Sequence, residues 1–81
     1  MYTVYVLTDL NGKFYKGLTK NLERRFIEHL SGHSKTTSRM NGLEVVYKEE
    51  FETFAEARRR EVYFKTAAGR KFLKKVIDEG H

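Results

Sequence analysis

The chain has 81 residues with no cysteine, proline or tryptophan, and sixteen Lys/Arg against eleven Asp/Glu give it a net charge of +5. Without cysteine there is no disulfide framework and no thiolate metal site, so one small apolar core must hold the fold; 40 % hydrophobic and 14 % aromatic residues are too many for a disordered chain. No apolar run approaches the roughly 20 residues of a membrane span, nor the h-region of a secretion signal, so a soluble, cytoplasmic setting is expected.

Tyr2-Thr3-Val4-Tyr5-Val6-Leu7 is β-branched and aromatic and reads as a strand. Asp9-Leu10-Asn11-Gly12 is a hairpin signal, with residues 13–18 as the return strand. A two-residue loop at Asn11-Gly12 would pair Tyr5 with Leu18 and send Tyr5 and Tyr15 to opposite faces. A three-residue loop, Leu10-Asn11-Gly12 with Gly12 left-handed, pairs Tyr5 with Gly17 and Leu7 with Tyr15. Both phenols then share a face, and this register is the expected one. Asn21 caps a helix with an apolar stripe of Leu22, Phe26 and Leu30, ending near Ser31-Gly32. Residues 32–42 read as a loop and 43–49 as a third strand. Thr53 and Glu56 form a capping box for a second helix that runs to about Thr66. Gly69 is expected to interrupt, and 71–78 to form a short last helix. The expected fold is α+β in one domain, 1–81: a small three-stranded, mainly antiparallel sheet flanked by helices in the order ββαβαα.

Charge is unevenly spread. Residues 58–75 hold eight basic side chains and a single acid, Glu61, a net +7, whereas 41–57 are acidic. Such a focus suits a polyanion binder. Taken alone it is more often a solvated helix face, and the small and aromatic apolar residues around it argue against a membrane-surface helix.

Glu61 falls inside the stripe formed by Phe54, Ala57, Phe64 and Ala68, where a carboxylate is costly unless it is paired or binds a metal. Arg58 and Lys65 flank it at i−3 and i+4, so a structural ion pair and a one-carboxylate cation site both stand. In the first helix Arg25 and His29 lie beside the apolar stripe. His29 and His33 have helical ligand spacing, but Gly32 ends the helix and no third ligand is near, so zinc is not expected. Tyr5 and Tyr15 alone would be ordinary half-buried strand residues. Two phenols, an arginine, a histidine and a lone carboxylate on facing elements point instead to a phosphate-handling site.

These residues also carry a resemblance. Thr3-Val4-Tyr5, then Tyr15-Lys16-Gly17, then Asn21-Leu22-Glu23-Arg24-Arg25 with His29, then Glu56-Ala57-Arg58-Arg59-Arg60-Glu61 and Lys65 resemble the GIY-YIG nuclease domain. The likeness is to its small stand-alone members, related to the catalytic domain of the excinuclease C subunit. Ten residues separate Tyr15 from Arg25, the interval of that family. The resemblance implies Tyr5 as general base toward water and Tyr15 as the group orienting that water or a metal shell. It implies a close backbone approach at Gly17, Arg25 on the scissile phosphate, and His29 on a phosphate or the leaving-group proton. Glu61 would be the single protein ligand of one divalent ion, Mg2+ or Mn2+. Lys16, Arg24, Arg58, Lys65, Arg70 and Lys71 would grip the backbone. Three departures stand out: Thr3 for a glycine, Lys16 for an isoleucine, and Leu73, twelve positions beyond Glu61, for an asparagine that Lys65 or Arg70 would replace.

The implied function is a metal-dependent DNA endonuclease, in DNA repair for example, with RNA left open and a monomer the default state. Eighty-one residues leave no separate sequence-reading domain, so structure rather than sequence is expected to direct it. The alternative is a nucleic-acid-binding module of the same fold without turnover. A partner for an acidic protein fits less well, because it gives Glu61 no reason to occupy an apolar stripe.

Overall fold

The computed structural model describes residues 1–31 and 42–79. Its elements run β1 (Tyr2–Thr8), β2 (Phe14–Thr19), α1 (Leu22–Leu30), β3 (Glu44–Phe51), α2 (Phe54–Phe64) and α3 (Ala67–Glu79). The strands form one antiparallel sheet in the order β2-β1-β3, so the ββαβαα order and the α+β class are as expected. The expected loop, apart from Gly42, and His33 lie outside the described residues.

The hairpin closes on three residues. Asp9 N donates to Lys13 O and Gly12 N to Asp9 O, each at 3.1 Å, and Gly12 takes the left-handed φ of 79° that this loop demands. The Asp9 carboxylate accepts from the Asn11 and Lys13 amides at 2.9 Å and satisfies the turn. The register pairs Tyr5 with Gly17 and Leu7 with Tyr15, and both phenols share one face.

Strand alternation gives the sheet two buried faces. Val4 and Val6 point to one, where Ala57, Phe64 and Leu73 of α2 and α3 cover them and all five side chains are fully buried. Tyr5 and Leu7 point to the other, toward α1. Helix α2 also packs on the β1–β2 hairpin, but on its Val4/Val6 face, while α1 covers the tyrosine face. The second face is as apolar as the first and needs a cover of its own, and α2 and α3 supply it.

Helix ends follow local chemistry. Asn21 Oδ1 accepts from Arg24 N at 3.0 Å, and Thr53 Oγ1 accepts from Glu56 N at 3.2 Å. The break between α2 and α3 comes at Lys65-Thr66, not at Gly69. The Thr66 hydroxyl donates to Tyr63 O at 2.6 Å and accepts from Gly69 N at 3.1 Å, so it closes one helix and caps the next. Gly69 lies within α3, where an added Cβ would run into the Tyr63 carbonyl and Phe64 Cα. It is small because two helices cross there, not because a helix stops.

Two buried stripes differ from expectation. On α1 His29 is buried and Leu30 is 57 % exposed, so the inward side is Leu22, Phe26 and His29. On α2 the buried residues are Ala57, Glu61 and Phe64, with Phe54 and Ala68 exposed. A polar clamp joins β3 to these helices. Arg60 binds Glu49 through two nitrogens at 2.9 and 3.1 Å, the Tyr47 hydroxyl donates to Glu49, and the guanidinium lies over the Tyr63, Phe64 and Phe72 rings at 4.9, 4.7 and 4.7 Å.

Candidate active site

Register and helix placement bring four polar side chains together on the α1 face. Tyr5 Oη and His29 Nε2 are hydrogen-bonded at 2.9 Å. Tyr15 packs its ring 4.9 Å from His29 and 6.3 Å from Tyr5, centroid to centroid. Arg25, one turn before His29, interacts with the Tyr5 hydroxyl and then with that of Tyr15, which holds its pKa above the ordinary arginine value. Its outer side meets Glu28 at 3.7 Å.

Burial sets the protonation of this group. It pushes the Tyr5 phenol up to about 12, with Tyr15 adding to the shift and Arg25 opposing it. Burial also lowers the His29 pKa from its ordinary 6.5, helped by Arg25 and opposed by Glu28. At neutral pH both rings are therefore uncharged, in contact with a guanidinium that is not.

Gly17 makes the arrangement fit. It lies directly opposite Tyr5, whose ring covers it, and an added Cβ would overlap the Tyr5 Cζ and hydroxyl. Gly17→Ala is expected to displace Tyr5, to cost ~1–3 kcal/mol of stability from overpacking, and to lose the Tyr5–His29 contact. Thermal melting together with the His29 side-chain NMR resonances checks this; an alanine variant with native stability and unmoved resonances would contradict it.

Glu61 comes from the opposite layer. It is 8 % exposed, with Arg58 Nη1 at 2.6 Å from one carboxylate oxygen and Lys65 Nζ at 3.5 Å from the other. Both cations are more than half exposed, at 54 % and 53 % for their side chains. Lys16 reaches this side as well, since it lies opposite Val6 on β2. Burial and then the charges of Arg70 and Lys65 lower its pKa. Neighbouring residues of the edge strand β2 thus serve the two groups, Gly17 under Tyr5 and Lys16 beside the Glu61 cations. Arg24, Arg58, Lys65, Arg70 and Lys71 are exposed. Leu73, at the position of the asparagine, is fully buried in the core.

The family model for the GIY-YIG catalytic domain matches residues 1–75. The chain belongs to the GIY-YIG family. Its domain is of a nuclease type that acts on nucleic acid and typically uses a divalent metal. The chain is 37 % identical over 78 residues to a UPF0213 protein of Staphylococcus saprophyticus, covering 95 % of this chain and 94 % of the relative. It is 35 % identical over 82 residues to one of Limosilactobacillus reuteri, covering 98 % and 85 %. The solution NMR structure of the UPF0213 protein of Bacillus halodurans superposes with a TM-score of 0.58 at 32 % identity, covering 94 % of this chain and 83 % of that one. The GIY-YIG frame accounts for the paired tyrosines. The sequence places His29 in the phosphate-handling set, on a phosphate or the leaving-group proton; its hydrogen bond to Tyr5 is what the sequence does not show, because that bond joins a strand to a helix 24 residues on.

Within the GIY-YIG domain Glu61 suits a hard divalent cation. It offers a buried oxygen donor whose two partners reach it from solvent. No cluster of three or more His, Cys, Asp or Glu is present among the described residues. Water and substrate oxygens would complete the shell, as such ions accept. Among the described residues no helix is long and apolar enough to cross a membrane.

Proposed function

We propose that the protein is a cytoplasmic endonuclease that hydrolyses phosphodiester bonds in DNA with one Mg2+ or Mn2+ ion, selecting by structure rather than sequence. The observation that carries this reading is the contact of Tyr5, Tyr15, Arg25 and His29, drawn from three elements onto one face. Hydrolysis needs a water relieved of a proton, an anchor for the phosphate, and positive charge near the oxygens that gain electrons. Arg25 supplies the anchor. A divalent ion at Glu61 would add Lewis-acid neutralisation of the phosphoryl oxygens.

With a pKa of about 12, Tyr5 is not a stored phenolate. It takes a proton from water only as it gives up its own. With its ring proton on Nδ1, the uncharged His29 presents Nε2, 2.9 Å away, as the acceptor. The water proton passes to the Tyr5 oxygen while the phenol proton passes to His29, and the hydroxide forms the P–O bond as the bond to the departing strand breaks; the departing oxygen takes a proton from solvent, and His29 and Tyr5 return to their starting states by releasing one to solvent. This gives His29 a more specific task than the phosphate contact or leaving-group proton that the resemblance implies. Tyr15 packs against both rings and holds their orientation.

Charge supports the approach of a polyanion from the β2 side. Lys16 on β2, with Lys13 and Lys20 flanking that strand, faces one way, and Glu44, Glu49 and Glu50 of β3 lie at the other edge. One observation favours a second reading, a binding module without turnover: Leu73 is fully buried in the core and gives the site no polar group. A panel of branched, nicked, duplex and single-stranded DNA, and RNA, with Mg2+, Mn2+ or EDTA, separates the two. Cleavage requiring metal supports the nuclease, and salt-sensitive binding without cleavage supports the module.

A pH profile tests the relay. Protonated His29 cannot accept from Tyr5, so the rate rises with pH through the His29 pKa and is flat above it. Because that pKa is lowered, the acid limb lies below 6.5. His29→Ala is expected to abolish the limb and slow cleavage by ~10²–10⁴-fold. An acid limb unchanged by His29→Ala would contradict the assignment.

A further inference from the structure

The charges of β3 are sorted by the pleat of the strand. Residues directly opposite one another on neighbouring strands put their side chains on the same face. Glu49 pairs with Val4 and Glu44 with Thr8, so both belong to the face that α2 and α3 cover, where Glu49 holds Arg60 at 2.9 and 3.1 Å. Lys48 pairs with Tyr5 and Glu50 with Thr3, which sets these two on the tyrosine face. One row across the sheet therefore reads Gly17, Tyr5, Lys48. Gly17 lies under the Tyr5 ring on one side. On the other side Lys48 is the cross-strand neighbour of Tyr5, with the roughly 5 Å between Cβ atoms that opposed residues have. The ring and hydrogen-bond contacts of α1 fall on Tyr5 and Tyr15, whereas Lys48 and Glu50 are exposed. Among the described residues Lys48 has neither an ion-pair partner nor an aromatic ring beneath its ammonium. It is the one cation of residues 41–57, which hold five glutamates.

We propose that Lys48 binds a second backbone phosphate, beyond the one at Arg25, so that a bound strand crosses the sheet over Tyr5 from α1 toward β3. The inference rests on the nuclease reading and deepens it, but concerns binding. A strand anchored only at Arg25 is free to run along β2 or across the sheet; Lys48 supplies a second fixed point for the crossing path alone. Glu50, next to Lys48 on the same face, sets the limit of that path, because a further phosphate would meet its carboxylate. The acids on the other face, Glu44 and Glu49, do not oppose the strand in the same way, since the sheet and the Arg60 guanidinium stand between.

Binding of a short single-stranded DNA in EDTA, where no cleavage occurs, tests it at several salt concentrations. Lys48→Gln is expected to reduce the log–log salt slope by about 0.7 and weaken low-salt binding several-fold. Glu50→Gln is expected to tighten low-salt binding, and Glu44→Gln, on the opposite face, to leave it unchanged. All three positions are exposed, so the variants should fold as the parent does, which thermal melting checks. A salt slope unchanged in Lys48→Gln, or equal responses to Glu50→Gln and Glu44→Gln, overturns the placement of the strand. A series of the same DNA with one uncharged methylphosphonate, moved a linkage at a time, locates the contact. One position is expected to weaken binding to the parent and not to Lys48→Gln. If the variant responds at every position as the parent does, Lys48 acts only through general charge and the phosphate contact is overturned. These outcomes separate from the nuclease reading. A parent that shows the Lys48 effects and never cleaves keeps the contact and loses the enzyme, and a parent that cleaves with an unaltered Lys48→Gln slope does the reverse.

Discussion

Glu61→Gln is expected to lower metal-dependent cleavage by ~10³-fold or more, from the several kcal/mol that a catalytic cation contributes at 1.36 kcal/mol per tenfold. The fold should hardly notice. Glutamine keeps the shape, and the two cations it releases are more than half exposed, so the ion pairs lost are largely screened. Single-turnover rates and thermal melting check both halves. A variant that keeps cleavage within tenfold of the parent would return Glu61 to the structural ion pair that its flanking cations also allow. A variant that loses its fold would do the same by another route, showing that the carboxylate serves packing first.

Tyr5→Phe is expected to slow cleavage by ~10²–10⁴-fold, the usual worth of a positioned proton-transfer group. Oligonucleotide affinity in EDTA should stay close to that of the parent, because the lost hydroxyl is buried and uncharged. The hydrogen bond to His29 is the main structural loss, about 0.5–1.5 kcal/mol. If Tyr5 and His29 act as one relay, their effects do not add, and Tyr5→Phe/His29→Ala is no slower than the slower single variant. Additive losses would assign the two residues to separate steps.

Much of this was legible in the sequence because local chemistry carried it. Gly12 needed a left-handed loop position, and that one requirement set the hairpin register, put Tyr5 over Gly17, and brought Tyr15 to the same face. Asn21 and Thr53 marked helix starts through hydrogen bonds made within three residues. The misreadings came where distant contacts decide. Gly69 looks like a helix stop, but it marks where α3 crosses α2, and Thr66 makes the stop with a hydroxyl that serves both helices. Leu30 looked like the third member of a stripe; His29 takes the buried place because the Tyr5 hydroxyl and the Tyr15 ring receive it. The seat of Arg60 is only half local: Tyr63 and Phe64 lie at i+3 and i+4 on α2, but Phe72 comes from α3 and Glu49 from β3. The layer from which Glu61 approaches was hidden for the same reason. Helical period places it on a buried stripe but does not say which face of the sheet that stripe covers.

If the tyrosine cluster and Glu61, on either side of β2, serve one phosphodiester-cleaving site, removing either group abolishes cleavage. The most direct test is nicking of a covalently closed single-stranded circle by the purified protein in Mn2+, compared with Tyr5→Phe, Arg25→Ala and Glu61→Gln at equal fraction bound. Linear product is expected from the parent, none in EDTA, and none from the three variants. A parent protein that binds the circle and leaves it intact, or a Glu61→Gln variant that linearises it at the parental rate, would contradict a single cleaving site.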